Sequence, residues 1–401
     1  MRNRGLALVI ALCCLTLLVG WWSKARCLLD DGGWDGGEQY LGWCYTDIVP
    51  LYGHRGLDEG GVPYFDNPDT PVEYPVLTGA QMWLAAQVSR DAVRFYHVTA
   101  LAGAGFVLAM LLLLARAGVP PSRLVWIAGA PTLAAYAFIN WDPLPALLLV
   151  LAVVTHLRGR DVASGIWAGL GVAAKLFPGV IIPLVVAARL AQRRWRDALG
   201  HAAAAGGAWL AVNLPVMVAA PEGWRRFFDL NRQRGADWDS LWFLAERFAH
   251  TDLSVSTLNL FSGLLFLAGA VLIGVVGARR RDPADWWQLA LPILCWFLLA
   301  NKVYSPQYSL VLLPLLALAL PSPGAFWAFA VADIMVFAIR FPFLGGLEGL
   351  MPAPGLGVFA FALLARAAVL AWITAATTLH RRAPLPSAAQ APPALRRSLV
   401  T

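Results

Sequence analysis

Apolar runs of roughly 15–22 residues recur along this chain, from residues 6–22 near the N-terminus to residues 355–379, with short polar turns between them. A helix needs about 20 apolar residues to cross a hydrocarbon core. In lipid, each segment must also satisfy its own backbone hydrogen bonds, which only helices and closed barrels do. The runs therefore predict an all-α polytopic membrane protein. The composition, 59% hydrophobic and 14% charged, excludes an ordinary soluble domain. The formal charge of +7 does not indicate a nucleic-acid partner. Its basic residues sit in short clusters between apolar runs, such as Arg158/Arg160 and the stretch 189–196, and this is how orientation in a membrane is encoded.

Arg2 and Arg4 precede the first run, and no small-residue cleavage site follows it, so an uncleaved helix with a cytoplasmic N-terminus is expected. Residues 23–74 carry ten of the 24 acidic residues against Lys24, Arg26 and Arg55, which suits an external loop. The apolar stretch 75–91 is short, and counting it as a span scrambles the sidedness of every later basic cluster. It is read as a helix lying in the outer interface. Spans are then expected at 95–116, 122–140, 143–157, 162–176, 177–190, 198–219, 256–278, 286–301, 307–321, 324–340 and 355–379. With the first helix these make about 12 transmembrane helices in one integral membrane domain, 1–380, with external loops 23–94 and 221–255. A Pro- and Arg-containing tail, 381–401, is expected to be disordered and cytoplasmic. The five cysteines have no CxxC or Cys/His spacing; Cys27 and Cys44 share the first loop and are candidates for a disulfide if it lies outside.

On this topology the unusual polar residues gather on the outer side. They are Asp47, Glu73 and Tyr74 in the first loop, Asn140-Trp141-Asp142 at a hairpin tip, and Lys175 in AAKLFP. The loop WRRFFDLNRQRGADWD, with Arg225, Arg226, Arg232 and Arg234, joins them, as does the tip bearing Lys302, Tyr304 and Gln307. Charges at the edge of hydrocarbon are costly unless they line a cavity or pathway. A transfer to a hydroxyl group requires a base to take its proton, and a carboxylate suits that role. Asp47 is the candidate catalytic base, its bland alternative being a solvated helix cap. Glu73 and Tyr74 are candidates for substrate contact or for a structural turn, and Asp142 for substrate contact or a helix cap. Lys175, Arg232 and Arg234 suit a lipid phosphate, against snorkelling or interfacial anchoring. Lys302, Tyr304 and Gln307 complete the substrate-binding set. Asp333 and Arg340 are assigned a mutual or lipid-facing structural role. Residues 169–174 match a relaxed GxGxxA, but within an apolar run small residues serve close helix packing.

The ordered set CYTDIVPLYGHRGL, VPYFDN, VEYPVLTG, NWDPL, AAKLFP and NKVYSPQY resembles the actinobacterial branch of glycosyltransferase family 87. These are polyprenyl-phosphate-mannose-dependent α-mannosyltransferases of the C-type superfamily. The resemblance spans roughly residues 1–320. It implies a C-type glycosyltransferase fold whose long first loop carries interfacial helices, and an inverting reaction with Asp47 as general base. It implies a polyprenyl-monophosphate sugar donor on the outer leaflet and an envelope glycolipid or lipoglycan acceptor. No cofactor is expected, and a lone Asp without a DxD partner favours metal independence. Where many relatives have a Gly-Gln-type tip this chain has Asn140-Trp141-Asp142, so arabinose and glucose stand open beside mannose, the first choice. A transporter or flippase of a lipid-linked sugar is the main alternative, and a non-catalytic scaffold the third reading.

The topology is testable with single cysteines in a Cys-free background. Positions 47, 142, 232 and 302 should react with an impermeant reagent in intact cells. Positions 158, 193 and 280 should not, and labelling at 158 or 193 would remove the shared outer face.

Overall fold

A computed structural model describes residues 2–28, 37–66 and 72–380, and the predicted tail 381–401 lies outside them. The first loop supplies short helices α2 (Glu38–Leu41), α3 (Ile48–His54) and α4 (Val76–Gln87) after the long α1 (Arg2–Ala25). Then come α5 (Ala92–Arg116), α6 (Pro121–Ala128), α7 (Pro131–Tyr136), α8 (Pro143–Leu157), α9 (Asp161–Ala174), α10 (Ile181–Ala191) and α11 (Trp195–Ala219). The second loop is built from α12 (Pro221–Gln233) and α13 (Leu241–Ala249). The chain closes with α14 (Val255–Ala278), α15 (Ala290–Ala300), α16 (Leu312–Ala319), α17 (Pro323–Leu347) and α18 (Leu356–Leu379).

Every expected span falls on helix, but they differ in kind. Among the described residues six helices are long and apolar enough to cross a membrane: Arg4–Leu28, α5, α11, α14, α17 and α18. The remaining expected spans are short or broken. Residues 122–140 divide at Gly129-Ala130-Pro131, because proline has no N–H to donate and disfavours helix in the residue before it. Three others begin in a 3₁₀ turn opened by or containing proline, at Phe177–Val180, Pro283–Leu289 and Pro306–Val311. The 12 residues of α4 reach about 18 Å, well short of the hydrocarbon thickness.

Packing sorts these helices. Short α8 and α16 are almost wholly buried, whereas long α14 buries only Leu258, Ser262, Ile273 and Gly277 and exposes Leu264, Val271 and Leu272. Such exposed leucines and valines on long helices suit contact with lipid. Small residues close the seam between α9 and α11. A Cβ on Gly165 or Gly169 would stand 2.2 Å from the carbonyl oxygens of His201 and Ala205, so only glycine admits this approach. The relaxed GxGxxA stretch is thus a packing surface.

Two ionic clusters lie inside the bundle. In one, Asp161 accepts from Arg189 at 2.8 and 2.9 Å and sits 3.0 Å from the His156 ring, joining α8, α9 and α10. In the other, Arg340 Nε donates to Asp239 at 2.8 Å, and Arg366 lies 3.6 Å from Asp239 and 3.7 Å from Asp333. Asp333 also accepts from Thr132 at 2.9 Å and Ser309 at 2.8 Å. The expected mutual or lipid-facing role of Asp333 and Arg340 is therefore corrected. They meet only through Arg366 and Asp239, and neither faces lipid.

Removing one member of a buried ion set leaves the others uncompensated and costs about 3–5 kcal/mol. Arg366→Met should lower the melting temperature in detergent substantially, and Arg366→Met with Asp333→Asn should regain part of the loss. Equal stability of Arg366→Met and wild type would show the cluster to be slack.

Candidate active site

The first loop is docked by its backbone. The Thr46 hydroxyl donates to the Phe138 carbonyl at 2.8 Å, and the Asp47 N–H donates to the Ile139 carbonyl at 2.7 Å. Both acceptors lie in the turn between α7 and α8, so residues 46–47 are fixed against that turn. Asp47 stands at the N-cap position of α3, yet its side chain caps nothing. Instead it accepts from the Tyr45 hydroxyl at 2.8 Å and faces a cavity of about 680 Å³. Desolvation pushes the Asp47 carboxyl up to about 6, although the Tyr45 hydrogen bond and the charges of Arg340 and Lys175 pull the other way.

Five more of the expected residues line the same cavity: Glu73, Tyr74, Lys175, Arg234 and Gln307. Glu73 is already engaged, because Arg55 grips both its oxygens at 2.6 Å. The Tyr74 ring meets Trp141 edge-on at 5.3 Å between centroids, and its carbonyl accepts from Tyr64 at 2.9 Å. Lys175 ends α9 in an extended conformation, which turns its ammonium away from the helix to an ion pair with Asp142. That ammonium also lies 4.4 Å from the Tyr308 ring centroid. Asp142 sits just behind the cavity wall and does not cap α8; its Oδ2 is buried without a hydrogen-bond partner among the described residues. Burial holds this carboxyl above the usual range despite the Lys175 charge.

Three expected residues stand elsewhere. Arg232 is exposed on α12 and is not part of the cavity lining. Lys302 is buried; its ammonium donates to the Arg234 carbonyl, and its own carbonyl accepts from the Asp237 N–H at 2.9 Å. It therefore fastens the strap 234–239 and does not face the cavity. Tyr304 lies in the ionic cluster, 2.9 Å from Ser309 and beneath Arg366 at 3.8 Å. Cys27 and Cys44 are paired as a disulfide, with Cα atoms 6.2 Å apart.

The cavity also exposes groups not expected at the site, chiefly Tyr40, Tyr45, Trp238 and Arg340, the last having been assigned a structural role. For Arg340 a signal existed, since a charge embedded in an apolar run calls for a partner or a cavity. An apolar groove adjoins the cavity, sharing Tyr74, Pro75 and Phe227 with it, and continues past Leu176, Trp209 and Trp224. Among the described residues no group of three or more His, Cys, Asp or Glu side chains stands where it could hold a metal ion.

The sequence model of glycosyltransferase family 87 matches residues 73–301, more than half of the chain. No curated protein matches it. Among solved structures, ArnT from Cupriavidus metallidurans bound to undecaprenyl phosphate is similar at 14% identity and a TM-score of 0.44, over 94% of this chain and 77% of that one.

The wall of the apolar groove depends on Tyr64, which is wedged between glycines. A Cβ on Gly79 of α4 would stand 2.1 Å from the Tyr64 hydroxyl, and one on Gly223 of α12 would stand 2.1 Å from its carbonyl oxygen. Backbone cannot yield as a flexible side chain does, so Gly223→Ala must displace α12. Such overpacking costs about 1–3 kcal/mol. Thermal unfolding should report that loss, whereas Gly235→Ala, at an uncrowded position, should be close to neutral.

Proposed function

The chain belongs to glycosyltransferase family 87, and from that premise we propose that it moves a hexose, mannose in the first place, from a polyprenyl-monophosphate sugar to an envelope glycolipid or lipoglycan. The transfer takes place on the extracytoplasmic face with inversion at the anomeric carbon. The observation that carries this reading is Asp47: a desolvated carboxyl, aimed by Tyr45 and pinned through its own backbone, in a cavity that Lys175 and Arg340 also line.

Each group then has a task. Asp47 takes the proton of the acceptor hydroxyl as that oxygen bonds to the anomeric carbon. The bond from that carbon to the phosphate oxygen breaks, and its electron pair leaves with the phosphate. Lys175, adjacent in the chain to Leu176 of the apolar groove, meets that phosphate while the prenyl chain occupies the groove. Tyr45 fixes which carboxylate oxygen faces the acceptor. Glu73, locked by Arg55, shapes the sugar pocket. Nucleotide sugars are confined to the cytoplasm, so an outward-facing site requires a lipid-linked donor. A Cys27–Cys44 disulfide suits the same side, where oxidising conditions preserve it.

Asp47→Asn tests the reading directly. Burial already disfavours the charged carboxyl, so the neutral isostere should fold as well as wild type. Loss of the base should lower turnover about 10²–10⁴-fold with donor-lipid affinity nearly unchanged. Because Asp47 acts only when ionised and titrates near 6, kcat/KM should rise with pH to a plateau above that value. Below it, the rate should fall with the ionised fraction. Full transfer by a folded Asp47→Asn protein, or a rate that rises on acidification, would remove Asp47 as the base.

A further inference from the structure

The cavity has two cationic walls, and they are built differently. On the α9 wall, the Lys175 ammonium is occupied by Asp142 and sits beside the apolar groove. On the α17 wall, Arg340 is 8% exposed and is held through Nε by Asp239. Its Nη1 and Nη2 make no hydrogen bond among the described residues, although Arg340 lines the cavity. Five fixed N–H donors make a guanidinium a two-pronged group, and here the prongs are spare. Asp47 lines the same cavity and is within the field of both cations.

The surroundings of Arg340 are aromatic. Phe341 stacks on Tyr45 at 5.3 Å, Tyr45 on Tyr40 at 6.3 Å, and Trp238 is braced by Phe243 at 5.0 Å and Phe343 at 6.1 Å. Glu348 stands at the exposed rim. The charge at this wall is not in cationic excess, with Arg340, Arg366 and Arg234 against Asp239, Asp333, Asp237 and the rim Glu348. A wall with no excess of positive charge does not demand an anion. Paired N–H donors with flat rings beside them fit an uncharged polyol that has one apolar face.

We propose that the Arg340 wall is the acceptor subsite. There the Nη pair donates to neighbouring hydroxyls of a pyranose, Tyr40 and Trp238 flank its C–H face, and the attacking hydroxyl is presented to Asp47. The inference rests on the reading of this cavity as the centre of lipid-linked glycosyl transfer. It places the two substrates on either side of the base, donor phosphate at Lys175 and acceptor sugar at Arg340. This is the order that displacement with inversion requires, since the attacking oxygen and the leaving oxygen lie on opposite faces of the anomeric carbon. It also identifies the acceptor by a sugar, with no need of a charged headgroup at this wall.

The full chain in nanodiscs can be titrated with two probes, octyl α-mannoside for the sugar and octyl phosphate for the phosphate. Tyr40→Ala and Arg340→Lys, which keeps a cation for Asp239, should each weaken octyl mannoside binding about tenfold or more and leave octyl phosphate binding unchanged. Lys175→Ala should do the reverse. If Arg340→Lys fails to fold, Tyr40→Ala carries the test. Unchanged octyl mannoside binding in a folded Tyr40→Ala protein overturns the proposal. So does loss of octyl phosphate binding in Arg340→Lys with the mannoside unaffected, as does a wild type that binds no octyl mannoside saturably. A wild type with the expected binding pattern but no transfer from polyprenyl-phosphate-mannose would keep the sugar subsite and sink the transfer reading instead.

Discussion

The structure depends on one constraint: a charge placed among apolar helices must be paired, or must border a cavity. Asp239 shows how this is met. It is fully buried, shared between Arg340 of α17 and Arg366 of α18, and linked through Arg366 to Asp333. Asp333 then reaches Thr132 of α7 and Ser309 of the turn before α16. A single compensated cluster thereby ties the late helices to the early ones. Hydrophobic contact alone gives little preference among helices in lipid, whereas an uncompensated buried ion is expensive enough to select one arrangement. One member of this cluster, Arg340, also forms part of the cavity wall. The groups that hold the late helices in place therefore set the field that Asp47 feels.

That field explains why Asp47 is suited to its proposed task. In water its carboxyl would be ionised at any physiological pH and only weakly basic. Desolvation at the cavity wall raises it toward 6, while Tyr45, Arg340 and Lys175 stop the rise short of full neutralisation. The carboxylate is thus more basic than a solvated Asp and still ionised at neutral pH, which is the compromise that general-base catalysis requires. Tyr45 contributes by direction as well as by charge, because its hydroxyl occupies Oδ1 and its ring is clamped between Tyr40 and Phe341.

The helical segments were legible because an apolar run of sufficient length has few other solutions in a bilayer. Their breaks were less so. Hydropathy stays high through Gly129-Ala130-Pro131, so residues 122–140 look continuous although the backbone divides there. Asp47, Lys175 and Gln307 could be marked as candidates because each is a polar group at the edge of an apolar run, and all three line the cavity. The same rule placed Lys302 and Tyr304 with them, but position near a tip does not decide which way a side chain points. Lys302 turns back to hold the strap, and Tyr304 turns into the ionic cluster. Arg340 and Arg366 carried a signal, charge inside an apolar run, but their partner Asp239 is more than a hundred residues away in sequence. No local pattern contains that pairing.

The short helices are what make a polar site possible at this depth of the chain. A helix that spans the bilayer ends in the headgroups, where water satisfies its terminal carbonyls and N–H groups. A helix that stops early leaves those groups in the interior, where irregular backbone is tolerated only if it is buried in protein or lines a cavity. Here α7, α9 and α15 all stop early, and their ends deliver Asn140, Lys175 and the residue 301–307 turn to one region. The backbone groups released there are taken up by the first loop: the Phe138 and Ile139 carbonyls by Thr46 and Asp47, and the Ala174 carbonyl by Thr78. The early helix ends and the docked loop thus satisfy each other, and Asp47 is held at the meeting point by bonds that the helix ends would otherwise lack.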